Sequence, residues 1–248
     1  MRLTRVHVAE RLISGRRHTI EGDAAQHLAR VLRLKPGDPL TVFDGRGGEH
    51  AARIESFGKG AVIIQVGEPS ATERESPLSL TLAQGVSRGE RMDWVVQKAT
   101  ELGVSRIVPL LTERSVVRLD ARQAARKHRH WQGIAVAACE QSGRNRVPEI
   151  GTPLGLGEYL RRGSAARATR LLLSPTGDLG IGELQALEGG LVVLIGPEGG
   201  LAESEQQVAL QAGFIAVRLG PRILRTETAA IAALTLLQYR FGDLKIVS

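Results

Sequence analysis

The residues LVVLIGPEGG at positions 191–200 indicate how this chain folds. Leu191–Ile195 is a continuous run of branched apolar side chains, which is typical of a strand buried on both faces of a parallel sheet. Gly196–Gly200 interrupts the run, and a helix is predicted to begin after it, with Glu203 or Ser204 as its cap. Ligands of open α/β sheets bind at the carboxyl ends of strands, where glycines allow close approach to the backbone. The turn is therefore either a binding loop or an ordinary connection from strand to helix.

A second stretch of the same kind, LGPRILRTET at residues 219–228, lies further along the chain. It follows another predicted strand, and Thr226 is predicted to cap the next helix. Glu227 falls in the first turn of that helix, where the helix dipole favours a carboxylate. If the two preceding strands are neighbours, the loops form one cleft of backbone N–H and C=O groups. Such a cleft suits a cofactor that carries an adenine ring.

Residues 78–248 continue this alternation of apolar strands and helices, which is typical of an α/β domain with a mostly parallel sheet. The predicted strands are 78–83, 106–111, 170–173, 191–195 and 216–219, and the predicted helices are 92–102, 121–141, 204–212 and 226–240.

Residues 1–70 have a different pattern of predicted elements. Short strands are predicted at 40–43, 49–56 and 61–66, with one helix near Asp23. Tight turns rich in glycine separate the strands, which favours a small β-barrel. Residues 71–77 are polar and lie in a region bounded by prolines, so they are predicted to be a linker between residues 1–70 and 78–248.

The composition favours a polyanionic partner. Lys and Arg number 33 against 26 Asp and Glu, a net charge of +7, and nucleic acid is the commonest partner of a basic surface. Aromatic residues make up only 3% of the chain, which disfavours recognition by base stacking. No apolar run reaches the ~20 residues of a membrane span, so no membrane partner is expected. The single cysteine excludes an intramolecular disulfide, and we expect a cytoplasmic protein.

Other cofactor motifs are missing from the sequence. There is no G-x-G-x-x-G after a convincing strand, the nearest match being Gly155–Leu160, and no P-loop. All six histidines lie at or before residue 130, ahead of both glycine loops, so no metal site is expected. These absences disfavour a Rossmann dinucleotide site.

Two basic segments are candidates for phosphate contact. Arg88, Arg91 and Lys98 cluster on the predicted helix at 92–102 and the residues before it, and a basic run extends over residues 122–130 and on to Arg144. An ordinary solvated helix face explains the second segment equally well.

Five segments together resemble one known family: His27–Arg33, Asp93–Gly103, Glu140–Arg144, Ile195–Gly200 and Leu219–Thr228. They are similar to the ribosomal small subunit methyltransferase E family, the 16S rRNA (uracil-N3)-methyltransferases of the SPOUT class, over nearly the whole chain. The resemblance implies a PUA-like RNA-binding barrel at 1–70, followed at 78–248 by an α/β methyltransferase domain with a trefoil knot, a rare exception to the rule that chains do not thread loops. It also implies a homodimer.

The resemblance further implies S-adenosylmethionine as cofactor and, as target, one uridine in the decoding region of 16S rRNA, within the small ribosomal subunit. On this basis we expect the cofactor to contact Leu173, Ser174, Ile195, Gly196, Pro197, Gly199, Gly200, Leu219, Gly220, Ile223, Leu224 and Thr226. We expect RNA to contact Arg5, Arg30, Arg33, Arg88, Arg91, Lys98, Arg144 and Arg222.

Catalysis is expected to depend on positioning and on charge. Arg225, with Arg222 beside it, is the candidate for stabilising the uracil anion, and Glu198 and Glu227 are the candidate bases. Three other functions stay open at this point: methylation of another RNA nucleotide by the same fold, a small-metabolite enzyme, and a non-catalytic RNA-binding ribosome factor.

Overall fold

The computed structural model describes residues 4–163, 167–185 and 189–245. The chain divides into two compact units. Unit 1 is Met1–Glu75 with Cys139–Val147, and unit 2 is Ser76–Ala138 with Pro148–Ser248. The boundary between Glu75 and Ser76 lies within the expected linker at 71–77. The sequence did not indicate that Cys139–Val147 belongs with the N-terminal residues.

Unit 1 is built on a five-stranded sheet in the order β1-β3-β4-β5-β2. Its strands β1 and β3 are parallel, and the other pairs are antiparallel. The sheet surrounds a core of aliphatic side chains that includes Leu28, Leu40, Val42, Ile54 and Ile64. The elements are β1 Arg5–His7, β2 Arg17–Glu21, α1 Gly22–Gln26, a π-helical turn His27–Val31, β3 Pro39–Phe43, β4 Glu49–Phe57 and β5 Ala61–Ser70.

The segment Cys139–Val147 is fixed within unit 1 by buried charges. The Arg5 guanidinium pairs with Glu49 and donates to the Arg144 carbonyl at 3.1 Å and to Asn145 Oδ1 at 2.7 Å. The Arg144 side chain, 5% exposed, pairs with Glu75 at 2.6 Å. Both arginines were expected to contact RNA, but their burial and their carboxylate partners give them a structural role instead.

Unit 2 is built on an eight-stranded sheet in which every strand pair is parallel, in the order β11-β13-β10-β12-β6-β7-β8 with β9 also on β7. The strands are β6 Leu80–Gly85, β7 Arg106–Leu111, β8 Glu149–Ile150, β9 Leu154–Gly155, β10 Thr169–Leu173, β11 Leu179–Gly180, β12 Leu191–Ile195 and β13 Ile215–Arg218. The helices are α2 Glu90–Glu101, α3 Ala121–Ser142, whose last turn belongs to unit 1, α4 Leu156–Arg162, α5 Glu203–Gln211 and α6 Thr226–Phe241, with a 3-10 turn at Ile181–Glu183.

The parallel α/β sheet confirms the fold class expected from the sequence. All five residues of β12 are buried, as the continuous apolar run predicted. The two strands that precede the glycine-bearing loops, β12 and β13, are not neighbours: β10 lies between them and pairs with both. The carboxyl ends of the three strands therefore meet at one edge, with Leu173 in the middle. The trefoil knot stays a prediction.

Among the described residues, no helix is both long and apolar enough to cross a bilayer.

Candidate active site

A cleft of about 350 Å³ opens at the edge where β10, β12 and β13 end. This volume is within the range of sites that bind small molecules and cofactors. Its walls are the loops that follow the three strands and the beginning of α6. All twelve residues expected to contact a cofactor line this cleft: Leu173, Ser174, Ile195, Gly196, Pro197, Gly199, Gly200, Leu219, Gly220, Ile223, Leu224 and Thr226.

The turn after β12 folds tightly on itself. A Cβ atom on Gly196 would lie 2.9 Å from the backbone carbon of Gly200 and from the nitrogen of Leu201. Gly200 has a φ of +68°, a left-handed conformation that side chains disfavour. A glycine is therefore needed at the two positions for different reasons. Gly196 permits the close approach of two backbone segments, and Gly200 permits the reversal of chain direction.

Thr226 links the glycine turn to α6, but not as the expected helix cap. The helix begins at Thr226 itself, with Arg225 in the capping position. The Thr226 hydroxyl donates to the Gly196 carbonyl at 2.7 Å and accepts a hydrogen bond from Gln84 Nε2 at 2.9 Å. Gln84 is fully buried at the end of β6. This network joins the ends of two strands to the first residue of α6, so it sets the shape of the cleft.

A cluster of charges borders the same turn. Glu198 Oε1 accepts hydrogen bonds from the Arg88 N–H at 2.9 Å and from Arg91 Nη1 at 2.8 Å. Arg91 Nε also lies 4.0 Å from Glu227 Oε1. Burial alone would raise the pKa of the Glu198 carboxyl, but these hydrogen bonds and the Arg91 charge outweigh it and hold that pKa below its ordinary value. Glu198 is therefore ionised at neutral pH and is a weak base.

The other expected catalytic residues are placed less centrally. Arg225 is exposed and does not line the cleft, whereas Arg222 is exposed and does line it. Glu227 is mostly buried, and its Oε2 atom has no hydrogen-bond partner among the described residues. Of the three candidates for catalysis, the structure brings only Glu198 to the cleft wall.

The expected RNA-binding residues are divided between the two units. Arg30 and Arg33 are exposed on unit 1, at the end of the π-helical turn and just after it, and Arg33 has a left-handed φ of +52°. Arg88 and Arg91 lie at the rim of the cleft on unit 2 through their bonds to Glu198. Lys98 is two-thirds buried and pairs with Glu101 at 2.8 Å.

Sequence reasoning missed several residues of the cleft wall. These are Arg114, Leu172, Pro175, Leu201, Gln206 and Ala229. Leu172, Pro175 and Leu201 are next to predicted residues along the chain, whereas Gln206 lies on α5 and Ala229 lies one helical turn after Thr226. Arg114 comes from a different segment, the loop after β7, and its only sequence signal is that β7 is a strand of the same parallel sheet.

The donor set of the cleft suits a nucleoside-bearing cofactor. Aliphatic side chains such as Ile195, Leu219 and Leu224 provide apolar walls, and the glycine turns leave backbone N–H and C=O groups accessible for the edge of a base. Ile223 is 86% exposed although it lines the cleft, so a large apolar side chain is available to cover a bound ring. No group of metal-ligating side chains occurs within residues 4–163, 167–185 and 189–245.

Family models match both parts of the chain. Residues 74–238 match the model of an RNA methyltransferase domain, and residues 20–67 match that of an RNA methyltransferase PUA domain.

Curated relatives and solved structures agree with these matches. The chain is 34% identical to the ribosomal RNA small subunit methyltransferase E of Buchnera aphidicola subsp. Schizaphis graminum, over 98% of both chains. It is 32% identical to that of Bacillus subtilis, over 90% of both. Two solved structures with bound S-adenosylmethionine are each 39% identical over 98% of this chain and 100% of the other. They are the methyltransferase E of Neisseria gonorrhoeae, with a TM-score of 0.91, and a putative methyltransferase of Legionella pneumophila, with a TM-score of 0.93.

Proposed function

This chain belongs to the ribosomal RNA small subunit methyltransferase E family, and we propose that it methylates N3 of one uridine in the decoding region of 16S rRNA. The coarser activity follows from the family: the chain is a SPOUT-class methyltransferase that uses S-adenosylmethionine to modify ribosomal RNA, and it carries a PUA domain. The choice of N3 and of the uridine is the part we propose.

The cleft at the end of β12 is the observation that carries the proposal. We assign cofactor binding to its twelve lining residues, because they combine apolar walls with the exposed backbone of Gly196–Gly200. The network of Gln84, Thr226 and Gly196 keeps these walls at a fixed separation, which is what binding one nucleoside shape requires. When bound, S-adenosylmethionine supplies an electrophilic methyl group.

The protein's own residues act mainly by position and charge. N3 of uracil carries a proton, and this proton leaves to water as N3 becomes the nucleophile. Glu198 is poorly suited to accept it, since two arginine donors hold its pKa low. We therefore favour a mechanism without a strong base, in which reactants are held in contact and a cation stabilises the negative charge on uracil. Arg222 at the cleft wall is better placed for this than Arg225.

RNA binding is assigned to exposed cations on both units. Within the described residues, the side chains of Arg30 and Arg33 on unit 1 and of Arg88 at the rim of the cleft form no ion pair with a carboxylate, so they suit phosphate contact. The target base must leave its stack to expose N3, which favours an irregular or single-stranded region of RNA. We also propose that the protein acts as a homodimer in the cytoplasm.

The test is methyl transfer from labelled S-adenosylmethionine to small ribosomal subunits and, separately, to naked 16S rRNA, followed by mapping of the labelled base. We expect label at N3 of one uridine in the decoding region. Label on another nucleotide would support the methyltransferase activity but overturn the proposed target. Absence of label in both substrates, with S-adenosylmethionine still bound, would favour a non-catalytic ribosome factor.

A further inference from the structure

The charged side chains that line the cleft come from three segments. Glu198 and Arg222 belong to the two glycine-bearing loops, and Arg114 comes from the loop that follows β7. Glu198 is already paired with Arg91. Arg114 has no carboxylate partner among the described residues, and its guanidinium donates only to the Gly199 carbonyl, at 3.3 Å. Besides Arg222, the cleft therefore contains a second cation whose charge no carboxylate of the described residues neutralises.

Arg114 packs directly against the glycine turn. A Cβ atom on Gly199 would lie 3.2 Å from the Cβ of Arg114 and 3.4 Å from its carbonyl oxygen. The backbone of Gly199 carries no left-handed φ, so the contact with Arg114 is what favours a glycine there. The turn and the arginine loop are thus fitted to each other.

The loop that carries Arg114 is held on both sides. Thr112 and Ser115 are buried, and their hydroxyls hydrogen-bond at 2.9 Å. The Ser115 N–H donates to the Thr112 carbonyl at 3.1 Å, and the Glu113 N–H donates to Glu205 Oε1 of α5 at 2.9 Å. The backbone of Arg114 is therefore fixed while its side chain is exposed. A fixed backbone that presents an uncompensated cation to a cleft is the arrangement that charge stabilisation needs, because little reorganisation is required during reaction.

We propose that Arg114 is a catalytic residue whose guanidinium binds a carbonyl oxygen of the target uracil and stabilises the anion formed when N3 loses its proton. This rests on the proposed function and adds to it a residue and a mode of recognition. The N3–H bond breaks and its proton goes to water, N3 bonds to the methyl carbon as the carbon–sulfur bond breaks, and Arg114 remains protonated throughout. A guanidinium suits this task because it stays protonated and its N–H groups donate to a carbonyl oxygen at the edge of the base.

The chain offers a matched control in the same loop. Arg118 is also exposed, but it lines a separate cleft of about 610 Å³ with Leu111, Val117 and Asp120, outside the glycine-loop cleft. Arg118→Ala therefore removes the same charge from the same loop without changing the cleft that holds Gly199.

The experiment compares full-length Arg114→Ala, Arg114→Lys and Arg118→Ala with the wild type on saturating small ribosomal subunits. We expect Arg114→Ala to lower kcat about 10²-fold, as for loss of one charge-stabilising donor, with the Kd for S-adenosylmethionine by calorimetry within about twofold of wild type. Arg114→Lys should recover part of the loss, and Arg118→Ala should keep the wild-type kcat.

Two further readouts separate catalysis from a structural role. Without Arg114, uracil ionises only at higher pH, so the rising limb of the kcat–pH profile should shift to higher pH, and added guanidinium ion should restore turnover. A profile with unchanged pH dependence and no rescue would overturn the proposal, as would an equal loss of S-adenosylmethionine affinity, which would make Arg114 an anchor of the cofactor loop. If the wild type and Arg114→Ala methylate subunits equally well, this inference alone is overturned. If the wild type is inactive, the proposed function is overturned and this inference with it.

Discussion

Gly196 is the residue on which the shape of the cofactor cleft depends most directly. A methyl group there meets the backbone of Gly200 and Leu201 at 2.9 Å, and backbone atoms cannot move aside as a side chain does. We expect Gly196→Ala to open the turn and weaken S-adenosylmethionine binding at least about tenfold, or ~1.4 kcal/mol. Calorimetry measures this. Gly182→Ala is the control, because a Cβ at that position meets nothing within 4 Å, and an equal effect of both changes would contradict the role given to the turn.

Cys139 provides a second prediction at this scale. Burial, the largest influence, raises the pKa of its thiol to about 12, and the nearby Arg144 charge lowers it only in part. Because the reactive thiolate forms only near that pKa, the folded protein should resist thiol reagents at pH 8 and react once denatured. The chain has one cysteine, so the number of modified thiols gives the result directly. Rapid labelling under native conditions would show that the end of α3 is not packed as described.

The residues of the cleft could be predicted from sequence only where a local pattern marked them. Gly196–Gly200 was recognisable because a buried strand ends in glycines, and the structure brings it to a cleft. Arg114 follows a predicted strand but has no local pattern, since its importance depends on which segment packs against Gly199. Arg5 and Arg144 were expected to contact RNA, and neither a family resemblance nor a basic charge reveals a buried carboxylate partner.

At the scale of elements, one glycine inside α3 and one just after it have opposite expected behaviour. Gly133 lies in the helix interior with open space around a Cβ atom, so Gly133→Ala should stabilise the protein by about 0.5–1 kcal/mol. Gly143 follows the last residue of the helix with a φ of +89°, and a Cβ there would lie 3.2 Å from Arg74 Cδ. Gly143→Ala should therefore destabilise by about 1 kcal/mol or more. Denaturant unfolding measures both, and the same sign for the two variants would refute the helix boundaries.

Long elements were predictable and short ones were not. The strands and helices with a clear apolar run or helical period, such as β12 and α6, lie within one or two residues of their predicted bounds. Strands of two residues, β8, β9 and β11, are too short to show a period. The helix near Asp23 was predicted, but not its change to a π-helical turn at His27–Val31, because wider helical turns leave no distinct apolar spacing.

At the scale of the molecule, Glu75 holds unit 1 together. Its carboxylate accepts hydrogen bonds from the side chain of Arg144 at 2.6 Å and from the backbone N–H groups of Asn145 and Arg146 at 3.1 and 3.0 Å. Glu75→Gln leaves the buried Arg144 charge without its counter-ion, and we expect a loss of about 3–5 kcal/mol in the free energy of unfolding.

The control for this prediction is Glu73→Gln, two residues away. Glu73 is exposed, and the hydrogen bond recorded for its side chain comes from the neighbouring Arg74 N–H. Its substitution should change the free energy of unfolding by less than about 0.5 kcal/mol. Chemical denaturation of both variants, followed by circular dichroism, compares them, and similar stability of the two would mean that the Glu75 network adds little to unit 1.

The parallel sheet of unit 2 could be predicted from the sequence, but the two separate chain segments that make up unit 1 could not. Sequence patterns describe neighbours along the chain, and the contacts that place Cys139–Val147 with residues 4–75 join positions more than sixty residues apart, such as Arg5 and Asn145. The boundary between Glu75 and Ser76 falls within residues 71–77, and no compositional change marks the other boundaries. Long-range ion pairs were therefore the part of the fold that local sequence patterns could not predict.

The discontinuity of unit 1 also has a consequence in time. The N-terminal residues emerge first during synthesis, before Arg144 and Asn145 have been made. At that stage Arg5 cannot yet bond to Asn145, and Glu75 cannot yet pair with Arg144. At about 5–20 residues per second, the missing segment arrives several seconds later. Small β-rich domains fold within milliseconds to seconds. Translation rate, rather than the intrinsic folding rate of its strands, therefore sets the moment at which the N-terminal unit is completed, and slow codons between residues 76 and 147 would prolong its incomplete state.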